Sequence, residues 1–144
     1  MKTFLLFATV ATLIFTACQN NEATQKALHD EVIAKHDTLM AKMDEVITNK
    51  NKLESILTKL STLKQEHITL DTNLLKLEID SSKTALNIAD DAMMSWMHNF
   101  NPDYSEKSHD EVIDYLNDQK HKIDSVKILF NSSLNHSNSL ISKY

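Results

Sequence analysis

The sequence predicts an all-α protein, and three observations predict it. The 144 residues include no glycine and a single proline, Pro102, so the punctuation that strands need at their turns is missing. Val32, Leu39, Val46, Leu53 and Leu60 recur every seven residues, which is the spacing of one helical face. Leu, Lys, Ala, Glu and Asp fill the positions between. The expected architecture is a three-helix antiparallel up-down-up bundle with coiled-coil character, occupying residues 24–144.

The chain opens on a segment that is not part of that bundle. Lys2 supplies one positive charge, Phe4 to Phe15 is an almost unbroken apolar run, and Thr16-Ala17 precede Cys18. A short apolar segment ending in small residues has the form of a secretory signal peptide and is too short to span a bilayer. Residues 1–17 are therefore expected to be cleaved. Cys18, the only cysteine, is expected to become the lipidated first residue in the manner of a bacterial lipobox, with Phe15 in place of the usual leucine. Residues 18–23 form a polar tether. This places the chain on the outer membrane by its acyl chains, facing the periplasm; the single acid in Gln19-Asn20-Asn21-Glu22 does not make an acidic export run.

Charge narrows the partners. Lys2 leaves with the leader, so 14 lysines face 20 acidic residues and the mature charge is −6 with histidines neutral. An acidic balance excludes nucleic acid, whose phosphates need a basic face. Without arginine the bidentate grip on phosphate is lost, and without glycine there is no phosphate-cradling loop or nucleophile elbow. Nucleotides and the commonest hydrolase designs are excluded with them. A lipidated Cys18 leaves no disulfide or thiolate ligand.

The first helix is expected from about Thr24 to the low sixties, with Leu28, Met43, Ile56, Leu57 and Leu63 widening the seven-residue stripe. At ~1.5 Å per residue it forms a rod of roughly 60 Å. The polar run Asn49-Lys50-Asn51-Lys52 and the run 65–69 are the two candidate breaks; the second is favoured, because the stripe continues through the first. The second helix is expected over about Leu70 to Asn99. Its main face is read as Leu70, Leu74, Leu77, Ile88, Ala92 and Trp96, with Leu75, Ala85, Ala89, Met93 and Met97 beside it. Pro102 then forbids continuation and residues 99–104 form an ordered loop. In the third helix Ser108 followed by Glu111 is a capping box, and Val112, Leu116, Ile123, Val126, Phe130 and Leu134 form the stripe. Past Asn131, Ser and Asn weaken the helix, while Leu140 and Ile141 can keep its end docked.

Antiparallel pairing of the first two helices about a turn near residue 67 gives partners whose numbers sum to about 134 by that register. Met40 then faces Met94 and His36 faces His98, with His109 brought to the same end. Such a His/Met pole has the ligand chemistry of copper(I), and His36, Met40, Met94, His98 and His109 are its candidate ligands. The plainer reading is that methionine fills core gaps and packs on aromatics, and that histidines at helix ends are surface. It is the favoured one, because adjacent Met93 and Met94 diverge by about 100° and only one can lead a site. Asp110 and Glu111 complement the dipole of a first turn; no Glu-x-x-His occurs to build a di-metal carboxylate site.

Ala27-Leu28-His29-Asp30-Glu31-Val32, Met40-Ala41-Lys42-Met43, Ala89-Asp90-Asp91-Ala92-Met93-Met94-Ser95-Trp96-Met97-His98-Asn99-Phe100 and Ser108-His109-Asp110-Glu111, together with the lipobox, resemble a family of small Bacteroidota lipoproteins often labelled "viral A-type inclusion protein". The resemblance runs over nearly the whole mature chain and implies secretion, lipidation and a helical fold. It implies no activity, and the label reflects coiled-coil character only.

The expected function is that of a non-catalytic, membrane-anchored envelope lipoprotein acting through protein–protein contacts, with no cofactor. Its partners are the membrane through the lipid anchor and an envelope protein or a second copy of itself. Phe100 and Tyr104 in the loop are the candidate partner contacts. The rival is a periplasmic copper-type metal-binding protein. An enzyme is not expected, since a glycine-free bundle offers little from which to build a pocket with positioned acid, base or nucleophile.

Overall fold

The computed structural model describes residues 2–144, with side chains described from Asn21 onward. The side chains of residues 1–20, that of Cys18 among them, lie outside the described ones. Five helices follow in order: α1 (Lys2–Met40), α2 (Met43–Thr58), α3 (Leu60–Glu66), α4 (Thr72–Asn99) and α5 (His109–Ile141). No strand occurs among the described residues, and the chain is all-helical.

The expected first helix is present in three segments. The break after Glu66 is where the sequence placed it, and α2 runs through Asn49-Lys50-Asn51-Lys52 without interruption. Two tight turns were not anticipated. Lys42 N–H donates to the Leu39 carbonyl at 2.9 Å and Lys59 N–H to the Ile56 carbonyl at 3.1 Å, bonds of 3₁₀ type that interrupt the α ladder. Each overwinds the rod, in the direction that offsets the ~20° drift of a straight helix against a seven-residue repeat. The stripe therefore stays on one side: Val32, Leu39, Val46 and Leu53 are all buried, with Ile56 beside them.

Helix α4 begins two residues later than its apolar pattern. Asp71 is the N-cap, its carboxylate accepting from the Asn73 and Leu74 amides at 3.0 Å each. The face read from the sequence is only partly the buried one: Trp96 is buried, and so are Leu75, Ala89 and Met93, which were expected beside it. Leu74, Leu77 and Ile88 are more than half exposed, while Leu75, Ile79, Ser82, Leu86, Ala89, Met93 and Trp96 are buried. That set recurs at alternating steps of four and three residues, the knobs-into-holes period, and it is rotated from the expected face by about 100° per residue of offset.

Helix α5 keeps the same alternation from Val112 to Leu140 without a break. Its expected stripe is buried throughout, and Gln119, Ser133 and Ser137 occupy further core positions. The Ser/Asn-rich end stays helical to Ile141 because Leu140 is buried and because Ser133 and Ser137 return their hydroxyls to the Phe130 and Leu134 carbonyls at 3.1 and 3.0 Å. Its start is the capping box: Glu111 N–H donates to Ser108 Oγ at 3.4 Å and Ser108 N–H to Glu111 Oε2 at 2.8 Å. The Ser108 hydroxyl and amide hold the Glu111 carboxyl below its ordinary value, with Lys107 contributing. A carboxyl depressed in the fold stabilises fully above the ordinary carboxylate range and loses that contribution as pH falls through its lowered value. Ser108→Ala is expected to lower stability by about 1 kcal/mol at neutral pH, measured by urea titration, and the gap to wild type should shrink in acid.

Polar partners fix the register. Lys35 pairs with Asp124 at 2.5 Å, Lys42 with Asn131 at 2.9 Å, and Asn49 with Asn138 at 2.8 Å. The numbers in each pair differ by 89, as on two helices running the same way. Across α2 and α4, Lys50 meets Asp90 at 2.9 Å and Glu54 meets Lys83; those pairs have a nearly constant sum, as on helices running oppositely. Buried Asn49 also donates to Ser137 Oγ at 2.9 Å, so a polar group in the core is satisfied by a neighbour that only one register supplies.

Candidate functional site

The end of the molecule where α1, the close of α4 and the start of α5 converge is built from rings. Trp96, in the last turn of α4, is buried and stacks on Phe100 at 5.0 Å and 25°. On α1, one helical repeat apart, His36 stacks on Trp96 at 5.5 Å and 29°, and His29 lies 6.3 Å from Phe100 and 6.2 Å, edge-on, from Tyr104. Tyr115, in the second turn of α5, closes the group at 6.2 Å from Phe100 and 5.9 Å from Tyr104. Offset and edge-on rings at these separations add to the burial of their apolar area.

The loop between α4 and α5 is held by its own side chains. Pro102 forbids helix, Asn101 Oδ1 accepts from the Asp103 amide at 2.9 Å, and Asp103 Oδ1 accepts from the Ser105 amide at 3.0 Å. These are turn-forming side-chain bonds. The Ser105 contacts hold the Asp103 carboxyl below its ordinary value. The Asn101 amide donates to Tyr115 Oη at 2.8 Å and so ties the loop to α5. Tyr104 Oη is buried without a partner among the described residues, and burial, followed by the nearby Tyr115, holds its phenol above the ordinary value. Trp96 Nε1 is likewise buried without a partner.

The candidate metal ligands are arranged as follows. His36 is partly buried, its Nδ1 2.9 Å from the Asp37 carboxylate and its ring on Trp96 rather than on His98; the expected sum of 134 falls two residues from the contact made. Met40 and Met94 are 36% and 55% exposed. His98 is exposed and His109, the first residue of α5, is partly buried. Met93 fills the core while Met94 points away from it, the divergence expected of neighbours on a helix. No three of the His, Cys, Asp and Glu side chains among the described residues are gathered so as to hold a metal ion. Phe100 and Tyr104, the candidate partner contacts, spend much of their surface on the ring cluster. Tyr115 was not singled out from the sequence; its position between the core residues Val112 and Leu116 carried no signal of a ring neighbour.

Two recesses adjoin this end. A groove of about 500 Å³ runs between α4 and α5, lined by Ala92, Ser95, Trp96 and Asn99 on one side and Gln119, Lys122, Ser125 and Val126 on the other. A smaller recess of about 260 Å³ is lined by Glu22, Gln25, Lys26, His29 and Tyr104. Among the described residues no helix is long and apolar enough to cross a membrane. No protein-family model, curated protein or solved structure matches the chain.

Proposed function

We propose that the chain is a non-catalytic envelope lipoprotein that is held to the outer membrane by an acylated Cys18, faces the periplasm, and acts through protein contacts made along a three-helix up-down-up bundle. The observation that carries this reading is the row of exposed apolar side chains on α4, Leu74, Leu77 and Ile88, on a body whose core is already complete. An apolar row at helical spacing is the recognition feature of helix-in-groove partners. The arrangement is supported by the register: a constant difference of 89 between partners on the first rod and α5, and a nearly constant sum between α2 and α4. The anchor is supported by the apolar leader that ends in small residues at the only cysteine, the form of a cleaved secretory segment.

The test is fractionation of cells expressing the full chain. The wild type is expected in the membrane fraction, beginning at Cys18 and carrying acyl mass on that residue, and cross-linking in intact envelopes is expected to yield a larger product. Cys18→Ala is expected to abolish acylation and to shift the protein out of the membrane fraction. An intact, unacylated precursor would overturn the anchor, and the absence of any cross-linked product would overturn the contact role.

A further inference from the structure

We infer that the α4–α5 face is a dimer interface whose occupant is a second copy of this chain, related by a two-fold axis parallel to the helices. The inference rests on the proposed contact role and names its partner. The exposed row on α4 is longer than its three large residues. Leu74, Leu77, Ser81, Ala85, Ile88 and Ala92 follow at steps of three and four, which keeps them within one narrow stripe of the helix. Ala92 also lines the groove against α5, so the stripe runs along the α4–α5 side of the body. It is apolar at both ends and has small residues in the middle, where a neighbouring helix approaches closely. Leu74, Leu77 and Ile88 are 54%, 66% and 51% exposed.

Charge identifies the occupant. Residues of α4 and α5 at one height have numbers summing to about 215, as Phe100 and Tyr115 do across their 6.2 Å ring contact. On the exposed side, that relation sets Asp91 near the height of Lys122, Asp80 at that of His136, and His98 at that of Asp118; all six are exposed. These three heights thus carry an acid on one helix and, on the other, a lysine or an imidazole whose ring N–H can donate to a carboxylate. A two-fold axis parallel to the helices preserves heights and lays α4 of one copy antiparallel against α5 of its partner, so acid meets base along the seam and the stripes form the core of a four-helix layer. Lys122 already pairs with Asp118 of its own chain at 2.6 Å, with both side chains more than half exposed, which leaves it free to be shared. The same axis keeps both Cys18 ends on one side, as two anchors in a single membrane require; a perpendicular axis would set them at opposite ends.

The experiment uses the full chain purified in mild detergent. Sedimentation corrected for bound detergent is expected to show a dimer. Leu77→Glu with Ile88→Glu is expected to give a monomer of unchanged helical circular dichroism, whereas Ile47→Glu, exposed but off this face, remains dimeric. Asp91→Lys is expected to raise the dimer Kd about tenfold or more, because like charges then meet across the seam, and Lys122→Asp in the same chain is expected to restore it. Asp80→Cys with His136→Cys is expected to oxidise to a covalent dimer. A monomeric wild type, a dimer that persists in Leu77→Glu/Ile88→Glu, or an envelope cross-link solely to a chain of different mass would overturn the second copy as occupant. Acylation of Cys18 is read separately by mass, so loss of the anchor and loss of the dimer are distinguishable.

Discussion

Replacing Phe130 with alanine is expected to destabilise the protein by about 3–5 kcal/mol, the range for removing a buried aromatic ring. Phe130 is fully buried in the core cluster that also holds Leu39, Leu53 and Leu86. The lost ring takes with it both its transfer free energy and the contacts of the residues around the hole. A bundle joined by short loops cannot close that hole, because the polar pairs on either side, Lys42 with Asn131 and Asn49 with Ser137, fix the spacing of the helices. Against a total stability of about 5–15 kcal/mol typical of single domains, the loss is a large fraction of the whole. Chemical denaturation followed by circular dichroism measures it. Phe130→Leu is expected to lose less, since most of the volume is kept.

Trp96→Ala is expected to cost about 3–5 kcal/mol on the same grounds, with a second effect that Phe130→Ala lacks. Trp96 is the ring on which both His36 and Phe100 stack. Its removal should loosen the loop between α4 and α5, leaving the His29 ring contacts with Phe100 and Tyr104 as its tie to α1 and the Asn101–Tyr115 bond with the Tyr115 ring contacts as its tie to α5. Hydrogen exchange is therefore expected to speed up selectively over residues 99–107, while the distant α2–α5 layer around Asn49 retains its protection. Trp96→Phe is expected to keep most of the stability and the slow exchange, because the stack survives. It also removes the buried indole N–H that has no acceptor, which returns part of the lost packing energy. Equal acceleration over the whole molecule in Trp96→Ala would show that the ring cluster does not act as a local clasp.

The two longest stripes were legible in the sequence because each is a single unbroken repeat. Val32, Leu39, Val46 and Leu53 on the first rod and Val112 to Leu134 on α5 have polar residues around them, so a period alone identifies the buried face. Ser108 and Glu111 identified the start of α5 because a capping box is a local exchange of two hydrogen bonds and needs no tertiary partner. The tight turns at Lys42 and Lys59 carry no glycine or proline and left no such signature. At the candidate site the sequence brought His36, Met40, Met94, His98 and His109 to one end, but a register expressed as a sum of residue numbers is accurate to a few positions only. That error was enough to set His36 against His98 in place of Trp96.

The sequence by itself determined the helical class, the faces of the first rod and of α5, the cap, and the loop at Pro102, since each follows from local backbone chemistry or from one dominant period. Only the tertiary structure decided α4. That helix carries two apolar stripes of the same period, one through Leu75, Ile79, Leu86 and Met93 and one through Leu74, Leu77 and Ile88. A periodicity cannot rank them. The choice was made by packing: Leu75, Ile79, Leu86 and Met93 join Leu39, Leu53 and Phe130 in one core cluster, and the Lys50–Asp90 and Glu54–Lys83 pairs and the Trp96–His36 stack fit that same orientation. That packing turns the first stripe into the core and leaves the second exposed.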